Sequence, residues 1–128
     1  MIFERTGVIL CTEKYDECVA FYSEVLDLPI IETLNDDHSK LTVLRFGGNT
    51  YLMVETGGKA ITSGKSLSQN PVWLRFNVKS VEDAAVELLD KGIDVKTKKE
   101  VWGTVGDFKD PDGNMCSFRE EPSGEPSY

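Results

Sequence analysis

The sequence is short of histidine, of cysteine and of positive charge, and each shortage closes off a class of function. Fourteen Lys and Arg stand against 22 Asp and Glu, for a net charge of −8 and a pI near 4.6. A phosphate backbone needs a basic face, so nucleic acid is excluded as a partner. Cys11, Cys18 and Cys116 are odd in number and have no CxxC spacing. That excludes a disulfide framework and a structural zinc site and predicts reduced, mostly buried thiols. No apolar run approaches the ~20 residues of a membrane-crossing helix. No basic segment followed by an apolar one opens the chain, so a cytoplasmic protein without a membrane partner is expected.

The acidic balance itself has two readings, steering of a cationic ligand or plain solubility. Much of it sits at expected helix or tail positions (Glu82, Asp83, Glu87, Glu120, Glu121, Glu125), which weakens the first.

The 128 residues, 40% hydrophobic, suffice for one compact domain or two small halves. Phe3–Cys11 is β-rich. Cys18, Phe21, Tyr22 and Val25 share one face of a helix over Tyr15–Leu26, which Leu28-Pro29 ends. Strands are expected at Pro29–Leu34, Leu41–Phe46 and Tyr51–Glu55, with turns at Asn35-Asp36-Asp37 and Gly47-Gly48-Asn49. Thr56–Asn70, rich in Gly, Ser, Lys and Thr, reads as an exposed linker. The pattern then restarts. Pro71–Val78 is a strand, and Ser80 with Asp83 starts a helix whose apolar face is Val81, Ala84, Ala85, Leu88 and Leu89. Gly92 ends it and Ile93–Thr97 is a strand. In the last hairpin, Asp110-Pro111-Asp112-Gly113 forms the turn, with Pro111 pre-set in φ and Gly113 free to take a positive one. The order β-α-β-β-β therefore occurs twice.

Three segments carry a resemblance. VILCTEKYDECVAFYSEVLDLPI, WLRFNVKSVEDAAVELLDKGIDV and DFKDPDGNMCSFRE are similar to the first-half opening, second-half opening and closing hairpin of the glyoxalase/bleomycin-resistance/extradiol-dioxygenase group, the vicinal oxygen chelate superfamily. They occur in that order and span nearly the whole chain. The resemblance implies an α+β fold of two βαβββ units forming a cupped mixed sheet, helices on the outer face. It implies one domain over 1–120, with halves at about 1–56 and 71–120, a linker at 57–70 and a loose tail at 121–128. From the residues alone, an α+β sandwich with both helices on one side of a single sheet is the alternative.

The family often holds a divalent metal with four inward His, Gln or Glu side chains. By motif those positions fall here on Gly7, on Met53 or Glu55, on Trp73 and on Ser117. Glycine has no side chain to ligate with, tryptophan offers only an N–H donor, and methionine is too soft for the ions concerned. Serine is a rare ligand, and the single histidine, His38, sits in a polar turn away from these strands. No metal, no cofactor and no catalytic residue is therefore assigned.

Strand residues two apart share a face. That puts Gly7, Ile9, Cys11, Tyr51, Met53, Glu55, Trp73, Arg75, Asn77, Met115, Ser117 and Arg119 toward the cavity. The opposite set, Val8, Leu10, Leu52, Val54, Leu74, Phe76, Val78, Cys116 and Phe118, is apolar and suited to packing under helices. Among the first set, Cys11, Met53, Glu55, Trp73, Arg75, Met115, Ser117 and Arg119 are the candidate ligand-binding residues. Trp73 offers a stacking plane, Met53 and Met115 adaptable walls, and Arg75 and Arg119 forks for a carboxylate or phosphate. The plainer alternatives are an Arg75–Glu55 ion pair, Trp73 in core or dimer packing, and Cys11 as a small core hydrophobe without an activating base. Ser63-Gly64-Lys65-Ser66 ends like a phosphate loop, but its upstream glycine is misplaced and no strand–loop–helix surrounds it.

The leading expectation is a metal-independent, small-molecule-binding protein of the bleomycin-resistance type, sequestering or sensing a ligand as a homodimer. The alternative is a diverged lactoylglutathione-lyase-like lyase or isomerase that uses Glu55 with unidentified partners, His38 among them. A structural module with a vestigial pocket is a third. Net charge favours a cationic ligand and the two arginines an anionic one, so the ligand's charge stays open.

Overall fold

The computed structural model describes residues 1–58 and 60–121. All but the first residue of the tail expected at 121–128 lies outside them. The chain divides into two compact units, Met1–Lys65 and Ser66–Tyr128.

In the first unit β1 (Thr6–Cys11) is followed by α1 (Tyr15–Ala20), a π-helical segment (Phe21–Val25), β2 (Ile30–Asn35), β3 (Lys40–Arg45) and β4 (Thr50–Glu55). The sheet runs in the order β1-β4-β3-β2, with β1 parallel to β4 and the other pairs antiparallel. The second unit repeats it. β5 (Trp73–Val78), α2 (Val81–Asp90), β6 (Lys96–Glu100), β7 (Gly103–Lys109) and β8 (Met115–Glu120) form a sheet ordered β5-β8-β7-β6. Here β5 is parallel to β8. These are two four-stranded mixed sheets with a helix apiece, the α+β architecture expected.

The expected parity sorts the core. Leu10, Leu52, Val54, Leu74, Cys116 and Phe118 are buried, whereas Gly7, Ile9, Trp73, Arg75 and Asn77 on the other face are exposed. Phe108 joins Phe118 in the core, ring centroids 4.7 Å apart.

Three local features differ from the sequence reading. The first helix is not α throughout. Leu26 N–H bonds Phe21 O at 3.1 Å, a wider turn, while the Ser23 hydroxyl takes Val19 O at 2.7 Å. The widening turns both Phe21 and Tyr22 inward, edge to face at 5.2 Å. In α2 the Ser80 hydroxyl accepts from Asp83 N at 3.1 Å as expected, and Glu120 Oε2 accepts from Val81 N at 2.9 Å. The buried stripe, however, is Val81 and Leu88, and Leu89 faces out at 62% exposure. Finally, β6 begins at Lys96 instead of Ile93, because Ile93 N–H is spent closing the helix onto Leu88 O at 2.8 Å.

That shift adds Lys98 and Lys99 to Lys96 on β6, an edge strand. Lysines there discourage a second strand from adding to the open edge.

Candidate ligand-binding face

Register determines which side chains meet on the second unit's sheet. Trp73 lies beside Met115, which stands opposite Lys109. The next row runs Arg75, Ser117, Asp107, Lys96 and the third Asn77, Arg119, Val105, Lys98. Cross-strand partners share a face, so this side of the sheet carries one tryptophan and a grid of mostly polar and basic groups.

A hollow of about 450 Å³ opens there, lined by Trp73, Arg75, Trp102, Val105, Asp107 and Ser117. Trp102, in the turn between β6 and β7, adds a second indole. The Arg119 guanidinium stands 4.7 Å from its ring centroid, a cation–π arrangement that orients both groups. Both indoles remain accessible, Trp73 43% and Trp102 52% exposed. Ser117 is 1% exposed, and its hydroxyl points toward Phe118 O at 3.4 Å. Of the expected residues, Trp73, Arg75 and Ser117 line this hollow and Arg119 backs it, while Met115 lines an adjoining one. Trp102, Val105 and Asp107 were not anticipated.

Cys11, Met53 and Glu55 lie in the first unit. Cys11 pairs with Glu55 across β1 and β4, its Sγ 3.9 Å from Glu55 Oε1, and Met53 pairs with Ile9. Lys65 Nζ donates to Cys11 O at 2.6 Å. Burial pushes the Cys11 thiol above its ordinary range; the Glu55 charge and hydrogen bond push it further, against an opposing pull from Lys65. At pH 8 Cys11 should therefore react with iodoacetamide several-fold more slowly than a free thiol, since only the thiolate attacks. Glu55→Gln should speed the reaction; alkylation at the rate of free cysteine would contradict this environment.

Gly7 is filled from across the strand pair. A Cβ there would run into the edge of the Tyr51 ring, and the Arg5 guanidinium lies 5.2 Å from the same ring's centroid. Gly7→Ala should thus cost ~1–2 kcal/mol by displacing the ring. In a Tyr51→Ala background that cost should vanish. A urea-unfolding cycle on the four proteins measures it, and equal costs in both backgrounds would show that the ring is not the obstacle.

The family's metal is not suited to these residues. Of its expected positions, Gly7 offers no donor and its space belongs to Tyr51, Met53 is soft, its alternative Glu55 is a single carboxylate beside the Cys11 thiol, Trp73 has only an N–H, and Ser117 is a lone hydroxyl. Among the described residues no three of His, Cys, Asp and Glu are grouped to hold a metal ion. His38 lies elsewhere, in a turn where its N–H bonds Asp36 Oδ1 at 2.7 Å. It borders a hollow with Glu13, Asp16, Glu17 and Asp37, and Glu55 does not line it.

A duplicated β-α-β-β-β chain in which each mixed sheet has its first and last strands parallel has the glyoxalase-like fold. The chain belongs to the Glyoxalase/Bleomycin resistance protein/Dioxygenase superfamily, whose model matches residues 6–118. Solved structures share the fold. An antibiotic binding protein, TnmS3, from Streptomyces sp. CB03234 is 18% identical with a TM-score of 0.74, over 94% of this chain and 98% of its own. A glyoxalase/bleomycin resistance protein from the same organism is 18% identical with a TM-score of 0.69, over 91% and 99%. A glyoxalase family protein from Enterococcus faecalis is 17% identical with a TM-score of 0.72, over 93% and 97%. Among curated proteins, none matches this sequence. Among the described residues no helix is long and apolar enough to cross a membrane.

Proposed function

We propose that the protein is a metal-independent binder of small organic molecules, held on the exposed strand face of its second unit. The observation that carries the reading is the convergence of Trp73, Trp102 and Arg75 on one hollow of about 450 Å³. That volume is in the range of small-molecule sites, and the lining has the expected make-up of apolar walls with a few placed polar groups. Tryptophans do not stay this exposed to pack a core; two at one concavity offer planes for an aromatic ligand. A structural relative described as an antibiotic binding protein supports the same direction. Sequestration or sensing needs no more chemistry than this.

A second copy of the chain is the proposed partner. Each sheet has two edge strands, β1 and β2 in one, β5 and β6 in the other; β6 is guarded by its lysines, and the other edges invite pairing.

N-phenyl-1-naphthylamine, a neutral aromatic that brightens in apolar surroundings, tests the site. Wild-type protein should bind it saturably, and Trp73→Ala or Trp102→Ala should each weaken binding about 30-fold, the loss of one well-placed anchor. Undiminished affinity in both variants would place the ligand elsewhere.

A further inference from the structure

The hollow at Trp73 has a neighbour at the adjoining end of the same strands. It too is about 450 Å³ and is lined by Ile93, Asp94, Lys96, Phe108, Lys109 and Met115, together with Gly92 and Asp107. Asp107 lines both. The two hollows therefore meet at Asp107, in the row Arg75–Ser117–Asp107–Lys96, with Lys109–Met115–Trp73 running alongside.

The charge of this surface runs against that of the chain. Arg75, Arg119, Lys96 and Lys109 oppose Asp94 and Asp107 here, in a protein of net charge −8. Protection of a sheet edge accounts for Lys96, Lys98 and Lys99 on β6 but not for Lys109, which sits on the inner strand β7 opposite Met115. Neither Lys96 nor Lys109 forms an ion pair among the described residues. Two such lysines beside Ile93 and Met115 suit an acidic group carried on an apolar frame.

We propose that the ligand is an elongated aromatic anion, its rings in the Trp73–Trp102 hollow and its acid between Lys96 and Lys109. This rests on the binding reading above and adds the ligand's length and charge to it. Length follows from two hollows meeting at Asp107. Charge follows from where the lysines lie. The acid belongs at the lysine end because Arg119 is already stacked on Trp102, and Asp107 separates that end from Arg75 along the row.

The test compares two probes on three proteins. 6-(p-Toluidino)naphthalene-2-sulfonate is a long aromatic anion, and N-phenyl-1-naphthylamine is its neutral counterpart. In Lys96→Gln/Lys109→Gln the sulfonate's Kd should rise about tenfold, the loss of one charge-assisted contact, while the neutral probe's stays within about twofold. In Trp73→Ala/Trp102→Ala both should weaken. If the lysine variant binds the sulfonate as tightly as wild type while the tryptophan variant loses both probes, the acid subsite is wrong and the binding face stands. If the tryptophan variant loses neither probe, the binding face itself is wrong and this inference falls with it. Circular dichroism on each variant separates either result from unfolding.

Discussion

Truncating both indoles, Trp73→Ala with Trp102→Ala, should reduce affinity for an aromatic ligand about 100-fold or more while leaving the fold intact. Each indole offers a large rigid plane, and anchors of this kind typically cost ~2 kcal/mol or more when cut to alanine. The two line one hollow, so their effects should not simply add. Trp102 also carries Arg119 against its ring, and its loss removes that contact as well. Stability should change little, because both side chains are about half exposed and their truncation leaves no core cavity. Isothermal titration against the fluorescent probe, together with a urea melt, separates the two effects. A variant that binds normally would remove the site, and one that unfolds would mean the indoles serve the fold.

The second large effect concerns the turn that closes the last hairpin. Asp110 is 4% exposed, and its carboxylate accepts from Asp112 N and Asn114 N at 2.9 Å and from Asn114 Nδ2 at 2.7 Å. Asn114 Oδ1 in turn accepts from Asn70 Nδ2 at 2.7 Å, tying the hairpin tip to the segment before β5. Asp110→Ala leaves three donors facing an apolar methyl, in a place water reaches poorly. Each bond to a charged acceptor is worth ~1.5–3 kcal/mol, and an unsatisfied buried donor costs ~1–3 kcal/mol. With partial relaxation, a loss of ~3–5 kcal/mol is expected, a large share of the ~5–15 kcal/mol a domain of ordinary stability has. Asp110→Asn keeps an acceptor for the two backbone N–H groups but turns an amide toward Asn114 Nδ2, so it should cost roughly half as much. Chemical denaturation reads both. A midpoint unchanged in Asp110→Ala would show that the turn holds without its carboxylate, through its backbone bonds, Asp110 N to Asn114 O at 3.0 Å and Gly113 N to Asp110 O at 3.1 Å.

The sequence made the fold legible where two periodicities alternated. Period-two runs such as Trp73–Val78 and the helical spacing of Cys18, Phe21 and Tyr22 each declare an element and its buried side. The repeat of the order then declares two similar units. Asp110-Pro111-Asp112-Gly113 is readable as a turn because Pro111 pre-sets its own φ and Gly113 takes a positive φ, 88° in the structure, without the steric cost other residues meet there. The π-helical turn at Phe21–Val25 was not readable, since the same apolar spacing suits an α-helix. What separates them is a Ser23 hydroxyl on Val19 O, a choice among hydrogen bonds that leaves no mark on hydrophobic pattern. Leu89 was misplaced because a run of two leucines gives the stripe no unique direction.

The site was half legible. Trp73, Arg75 and Ser117 follow from strand parity and were expected on the exposed face. Asp107 and Val105 follow from it too, once the turn fixes Lys109 opposite Met115, but β7 is neither the first nor the last strand of its unit, the two that the resemblance marks. Trp102 had a different signal, a tryptophan in a turn beside Gly103, where solvent-exposed polar residues are the rule. A large aromatic in such a place is worth marking as a surface in its own right.

The measurement closest to the central claim is native mass spectrometry of protein purified from cells without chelator, wild type beside Trp73→Ala/Trp102→Ala. A binder of small organic molecules should carry an additional organic mass on the wild type, reduced or lost in the variant, and no stoichiometric divalent ion. One metal ion per chain in both proteins, with no organic mass, would contradict the account and return attention to Glu55 and to isomerase chemistry.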